Sequence, residues 1–335
     1  MIIDMWKEHA SGPLHLLHVG FGAGGLIVPQ IMAYFTSNKL PKSKDISADL
    51  CLSRDNLTNQ VNRTTVLANQ TTAYNAEPSN ILQYGYVVVS GIIVVVSLIW
   101  FAYGFLERNR TAKVTSLTSS TLKDKFNLNA CVPGRPACAV FLYILIFFWI
   151  FVAVAGELVF AKYLYSYART VSCWPKSEAV DLLTTFWLAL TAGRFIGFVS
   201  ASFVHMKYII LFEGIGNTII AIILFLFNSN HYVLWACVCA SGLLIGPCYP
   251  SALAWANRYM IVTTTGVTLL ATFCGISNIL FLFVIGYFIE YEGIQVITTF
   301  VLILGVLIGI VSVVMKSAAC QLGDRFEKEA QNEED

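Results

Sequence analysis

The chain has 335 residues, of which 57% are hydrophobic and only 12% charged. That charged share is about half that of ordinary soluble domains, and mean hydropathy is +0.69. A water-soluble globule of this size cannot bury so much apolar surface, whereas a bilayer solvates it, and a net charge of +1 offers no basic field to a nucleic acid.

A membrane-crossing helix needs about 20 mostly apolar residues. Such runs fall in chain order at about 14–35, 84–106, 139–165, 181–204, 207–227, 232–260, 264–290 and 295–315. They are continuously apolar rather than alternating, so the expectation is an all-α integral membrane bundle of about eight transmembrane helices and not a barrel. The stretch 1–13 is polar, and no small-residue cleavage site follows the first apolar run, so no signal peptide is expected.

Two polar segments interrupt the pattern. Residues 36–83 carry three glycosylation acceptors, Asn56-Leu57-Thr58, Asn62-Arg63-Thr64 and Asn69-Gln70-Thr71, which places this loop outside the cell. Residues 107–137 carry Arg108, Arg110, Lys113, Lys123, Lys125 and Arg135, which reads as a cytosolic linker. The expected organisation is two helices with a glycosylated loop over 1–106, the basic linker over 107–137, a six-helix bundle over 138–316, and a charged cytosolic tail over 317–335.

Nine cysteines say little. Cys237, Cys239, Cys248 and Cys274 lie in apolar runs, where cysteine acts as a small hydrophobe, and Cys237-x-Cys239 is not a zinc spacing. Cys51 and Cys173 both fall in segments assigned to the exterior, where a disulfide between them is chemically open.

Ionisable and amide side chains at membrane depth are costly and mark sites to inspect. Glu157, inside an apolar run, is a candidate to hold a coupling cation or accept from sugar hydroxyls; the plain readings are an interhelical hydrogen bond or an ion pair with Lys162. Arg194 stays charged and must find partners, so it is read first as a structural anchor, with Glu213 as its counter-ion. Asn278, Asn217 and Gln30 suit hydroxyl recognition or helix gluing equally. Tyr163, Tyr167, Trp149 and Trp255 are candidates to stack on a sugar face, while Trp100, Trp174 and Tyr291 read as interface anchors. His15 and His18 lack a third ligand for a metal and read as packing or gating groups.

The sixth long run contains Gly242-x-x-x-Gly246-Pro247-x-x-Pro250. Pro247 and Pro250 each remove a helical hydrogen bond, so a break is expected, serving either as a gate or as a packing kink. The pairs Gly20/Gly24, Gly193/Gly197 and Gly305/Gly309 suggest close helix crossings. Phosphate-loop, dinucleotide, zinc-protease and nucleophile-elbow motifs are missing from the sequence, so no enzyme is expected.

Several stretches resemble the major facilitator superfamily, in particular its fucose/glucose permease branch. They are Trp6-Lys7-Glu8 with His15 to Gly24, Ala155-Gly156-Glu157 with Tyr165 to Ala168, Thr191-Ala192-Gly193-Arg194-Phe195-Ile196-Gly197, Gly246-Pro247-Cys248-Tyr249-Pro250-Ser251, and Trp255-Ala256-Asn257-Arg258-Tyr259. The resemblance aligns the eight runs with the fifth to twelfth helices of that fold, so four N-terminal helices have no counterpart here. It implies a plasma-membrane secondary transporter working by alternating access, with a hexose such as glucose as cargo and Na⁺ as a coupling ion. Glu157, Asn278, Tyr163 and Trp255 would then contact cargo or ion, and Pro247 and Pro250 would flex. Arg194 would sit in the family's Gly-Arg element near the cytosolic gate. The other reading is a non-transporting membrane protein that associates with a full-length transporter as partner or regulator.

Overall fold

The computed structural model describes residues 9–37, 87–99, 101–102, 136–327 and 331, leaving aside the side chains of 28–37, 136 and 264–265. The acceptors Asn56, Asn62 and Asn69, the loop that carries them, Cys51, and all but the last two residues of the basic linker lie outside the described residues. The chain divides into two compact units, 1–25 with 123–335 and 26–122. In the smaller unit, residues 26–37 complete a helix begun in the larger one, and Val87–Ile99 forms a second, shorter apolar helix.

The described elements are all helical. In chain order they are α1 (Ser11–Ser37), α2 (Val87–Ile99), α3 (Pro136–Thr170), α4 (Lys176–Ser200), α5 (Met206–Phe227), α6 (His231–Ile245), α7 (Cys248–Tyr259), α8 (Thr264–Glu292) and α9 (Val296–Leu322). Six stretches of α3 to α9 are long and apolar enough to cross a membrane, α6 and α7 counting as one. The protein is thus a multi-pass helical membrane protein.

Local chemistry sets the ends of these helices. Asn230 caps α6 by accepting from the backbone amides of Tyr232 and Val233, and Thr263 caps α8 by accepting from Gly266. Gly293 and Gly323, at φ 82° and 69°, close α8 and α9 in a conformation that costs glycine little. α4 starts five residues earlier than its apolar run, because Pro175 presets the backbone before Lys176. Cys173, in the turn between α3 and α4, is disulfide-bonded, whereas Cys138, Cys237, Cys239, Cys248, Cys274 and Cys320 are free thiols.

Large apolar side chains point outward where lipid is expected: Phe212 on α5 is 70% exposed and Ile279 on α8 is 74% exposed. Inside the bundle, small residues bring backbones together. α5 meets α9 where Gly309 faces Thr218 and Gly305 faces Ala221. The Thr218 hydroxyl crosses this seam to the Gly305 carbonyl at 2.6 Å. α4 meets α6 where Gly242 faces Ala189 and the Phe186 carbonyl, Gly246 faces the Leu190 carbonyl, and Gly193 faces the Leu243 carbonyl.

The Gly193/Gly197 and Gly305/Gly309 pairs therefore sit at close crossings. The Gly20/Gly24 pair does not: a Cβ at either would meet nothing within 4 Å. The contact face of α1 is instead the one carrying Gly22, against Thr191, and Gly25, against the Trp187 ring. Spacing alone counted the right motif on the wrong face, because α1 has several glycines and only packing chooses among them.

Two substitutions separate these faces. Gly193→Ala places a methyl on a carbonyl that cannot rotate away, so it should lower stability by about 1–3 kcal/mol, as overpacking does. Gly20→Ala should be neutral or stabilise by about 0.5–1 kcal/mol, since a helical glycine is replaced without a clash. Thermal unfolding of the detergent-solubilised protein measures both, and equal effects would contradict the assignment of faces.

Candidate functional site

The site begins with the broken helix. Pro250 has no N–H, so the Gly246 carbonyl loses the donor that a continuous helix would supply. The Arg194 Nε donates to that carbonyl at 2.9 Å. Pro247 likewise leaves the Leu243 carbonyl without a helical donor, and the adjacent Gly193 lies against it. The Gly193-Arg194 step of α4 thus fits the two defects made by the two prolines of the α6–α7 break. Trp149 on α3 adds a third support, its indole N–H donating to the Cys248 carbonyl at 3.0 Å.

The rest of the Arg194 guanidinium is used in other directions. One terminal nitrogen donates to the His18 carbonyl of α1 at 3.0 Å. The other lies 3.3 Å from Glu157 Oε2 of α3. The Phe21 ring of α1 stacks below the group at 4.8 Å. A cation that is 2% exposed is tolerable only with such saturation.

The sequence reading paired these charges differently. Glu157 meets Arg194 and not Lys162, which lies five residues on, a spacing that does not bring side chains together on a helix. Glu213 is not the counter-ion of Arg194. Its carboxyl meets the Ser251 hydroxyl of α7 at 2.5 Å, and Ser251 also lies 3.1 Å from His15 Nε2.

Beside the ion pair lies a cavity of about 340 Å³, in the range of small-molecule sites. Its wall includes His18 and Phe21 of α1, Glu157 and Lys162 of α3, Trp187 and Arg194 of α4, Tyr249 of α7, and Cys274 and Asn278 of α8. Tyr249 packs edge-on against His18, ring centres 4.9 Å apart. Glu157 and Asn278 thus share one cavity although 121 residues separate them in sequence.

Tyr163 and Trp255 are placed elsewhere. The Tyr163 hydroxyl donates to the Leu282 carbonyl at 3.2 Å, tying α3 to α8. Trp255 is fully buried in the core against Tyr259. Asn217 donates to the Glu213 carbonyl within its own helix. Phe21, Trp187, Tyr249 and His18 were not singled out as lining groups from the sequence. They come from three helices, and no local pattern marks an aromatic as facing a cavity rather than lipid. Among the described residues, no group of three or more His, Cys, Asp or Glu side chains is arranged to hold a metal ion.

No family model matches the chain. Sequence similarity is found to sodium-dependent glucose transporter 1 of Danio rerio, 23% identical over 273 residues, covering 78% of this chain and 41% of that protein. The mouse sodium-dependent glucose transporter 1A is 23% identical over 263 residues, covering 78% and 57%. The chain spans about half the length of these relatives. Among solved structures, the transporter FucP of the major facilitator superfamily, in its outward conformation, superposes with a TM-score of 0.59 at 15% identity, covering 92% of this chain and 69% of that one. A second structure of FucP, described as the E. coli fucose:proton symporter, agrees at 0.59 and 16%.

The Arg194 network makes a direct prediction. Arg194→Lys keeps the charge but cannot reach the Gly246 carbonyl, the His18 carbonyl and Glu157 together. Arg194→Met leaves Glu157 with no counter-charge and should cost about 3–5 kcal/mol. Thermal unfolding should rank them parent, Lys, Met; a Lys variant as stable as the parent would show that the charge alone matters.

Proposed function

We propose that this chain, which has the major facilitator fold and the sequence likeness of its fucose/glucose permease branch, is a sugar transporter or part of one, working by alternating access in the plasma membrane. The observation that carries this reading is the cavity beside the broken helix, mostly apolar and aromatic with a few polar groups set into its wall. Its wall combines Glu157 and Asn278, which accept and donate to hydroxyls, with the flat rings of Phe21, Trp187 and Tyr249. A hexose presents hydroxyls at its rim and C–H groups on its faces, and this lining suits both.

The names of the relatives, sodium-dependent glucose transporters, support glucose as the first cargo to try and Na⁺ as the coupling ion. Glu157 is the group we assign to a coupling cation, since a carboxylate at the cavity wall is shared with only one arm of Arg194. The gate we assign to the break between Ile245 and Cys248. Two helical hydrogen bonds are already missing there, so movement of α7 against α6 costs less than bending an intact helix. Broken helices lining a cavity are a recurrent substrate site in transporters.

Labelled hexose uptake into proteoliposomes, with Na⁺ present or replaced by choline, tests the reading. Glu157→Gln and Asn278→Ala should each weaken apparent affinity by about tenfold or more, a hydrogen bond to a charged group being worth about 1.5–3 kcal/mol. Trp255→Phe should lower stability and leave apparent affinity unchanged, because the ring is in the core. Uptake and Na⁺ dependence untouched by Glu157→Gln would remove that residue from the mechanism. No uptake of any hexose by folded protein would overturn the sugar reading.

A further inference from the structure

A second polar cluster contributes no residue to the lining of the cavity beside the broken helix. Glu213 of α5 is 2% exposed, and Ser251 and His15 are fully buried. Glu213 takes no part in the Arg194–Glu157 or Arg258–Asp324 ion pairs. One Glu213 oxygen meets Ser251 Oγ at 2.5 Å; the Cys248 thiol also lies beside the carboxyl but donates to the Leu244 carbonyl, and the second Glu213 oxygen has no partner of its own. Ser251 Oγ also lies 3.1 Å from His15 Nε2. On the far side of the imidazole, Nδ1 lies 2.8 Å from the Ser11 carbonyl.

Proton counting follows from these contacts. A carbonyl only accepts, so Nδ1 carries a hydrogen and donates to Ser11. Nε2 then faces Ser251 either as an acceptor in neutral imidazole or as a donor in imidazolium. In the first case the Ser251 hydroxyl donates to Nε2, and its oxygen must accept from Glu213, which is therefore the neutral acid. In the second case Nε2–H donates to Ser251, and Ser251 donates to a Glu213 carboxylate. The two arrangements share their heavy-atom positions and interconvert by moving one proton from Glu213 to Ser251 and another from Ser251 to Nε2. Both contain one proton more than carboxylate with neutral imidazole. Remove that proton and the serine hydrogen faces two buried acceptors, with only the weak Cys248 S–H nearby, which donates to the Leu244 carbonyl; one strong acceptor is then left without a full donor at a cost of about 1–3 kcal/mol.

We infer that Glu213, Ser251 and His15 form a membrane-embedded proton-binding site, holding one proton in common and using it to fasten α1 to α5 and α7. The surroundings favour the form with Glu213 as the neutral acid. Its unpartnered oxygen is tolerated far better as a neutral carbonyl oxygen than as part of a carboxylate. A charge on His15 would lie near the Arg194 cation, which holds the His18 carbonyl one turn along α1. The other titratable groups around the site are His18 on α1, Glu157 on α3, Arg194 on α4, and the Cys248 thiol on α7, which donates to the Leu244 carbonyl. Glu157 and Arg194 neutralise each other, so the proton on Glu213 spares the bundle an uncompensated charge. Its loss on raising the pH would release the first part of α1, residues 11–25, from α7.

Infrared difference spectroscopy on the purified full chain in lipid nanodiscs, stepped from neutral to alkaline pH, tests this without any cargo. The parent should show a protonated-carboxyl C=O band that disappears at alkaline pH and is missing in Glu213→Gln. The Gln amide still donates to Ser251, so this variant should fold. Ser251→Ala should shift the pH at which the band disappears, and Ser251→Thr should restore it. Hydrogen exchange over residues 11–25, corrected for intrinsic rate, should accelerate with the loss of the band in the parent and show no such step in Glu213→Gln. A parent without the band, a band that survives Glu213→Gln, or a titration indifferent to Ser251→Ala would each overturn the proposal. If Glu213→Gln cannot be purified, the Ser251→Ala and Ser251→Thr comparison decides alone.

Discussion

Arg194 is a permanent cation in a place where charge is expensive, and the bundle is organised around its saturation. One planar group bonds the Gly246 carbonyl, the His18 carbonyl and Glu157, and covers Phe21. It joins α1, α3 and α4 to the break between α6 and α7. Of these contacts, the one to Gly246 explains why a helix with two prolines can stand in a membrane at all. In lipid, a carbonyl without a donor costs several kcal/mol, and the guanidinium supplies the donor that Pro250 lacks. Glycine at 193 is part of the same solution, because any side chain there would collide with the Leu243 carbonyl.

The cavity is a consequence of this arrangement. With Glu157 drawn to Arg194, and Phe21 stacked against it, the space among α1, α3, α4, α7 and α8 is lined by both charged groups and rings. A site so built sets a few polar groups into a mostly apolar wall. The carboxyl of Glu157 is held in place before any ligand arrives, which reduces the ordering cost of binding. The same pairing that stabilises the bundle thus also orients the carboxyl at the cavity wall.

Glu213 shows the other way a membrane protein can keep a carboxyl. Glu157 is balanced by a cation. Glu213 has none within hydrogen-bond reach and relies on hydrogen bonding through Ser251 to His15. Both carboxyls lie near the start of α7 at Cys248, whose carbonyl accepts from the Trp149 indole directly after the break. Motion of α7 would act on both at once.

Much of the architecture was legible from the chain. Continuous apolar runs of about 20 residues dictate helices, because lipid offers no partner for backbone polar groups. Gly246, Pro247 and Pro250 dictate a break, because two of them lack the amide hydrogen. Glu157, Asn278 and Arg194 announce themselves as costly residues at membrane depth. What the sequence could not decide was partnership. Glu157 had Lys162 as its nearest cation along the chain, and Arg194 had Glu213 as a plausible anion, yet the ion pair joins α3 to α4 and leaves Glu213 to Ser251. Gly20 and Gly24 carry the spacing of a helix crossing, yet Gly22 and Gly25 make it. Trp255 and Tyr163 have the chemistry of sugar-stacking rings, yet one is core and the other ties α3 to α8. In each case the residue type is a property of the chain, while its neighbour is set by which faces of separate helices come together. Helix rotation in a bundle is decided by the packing of all the helices at once, and no local pattern carries it.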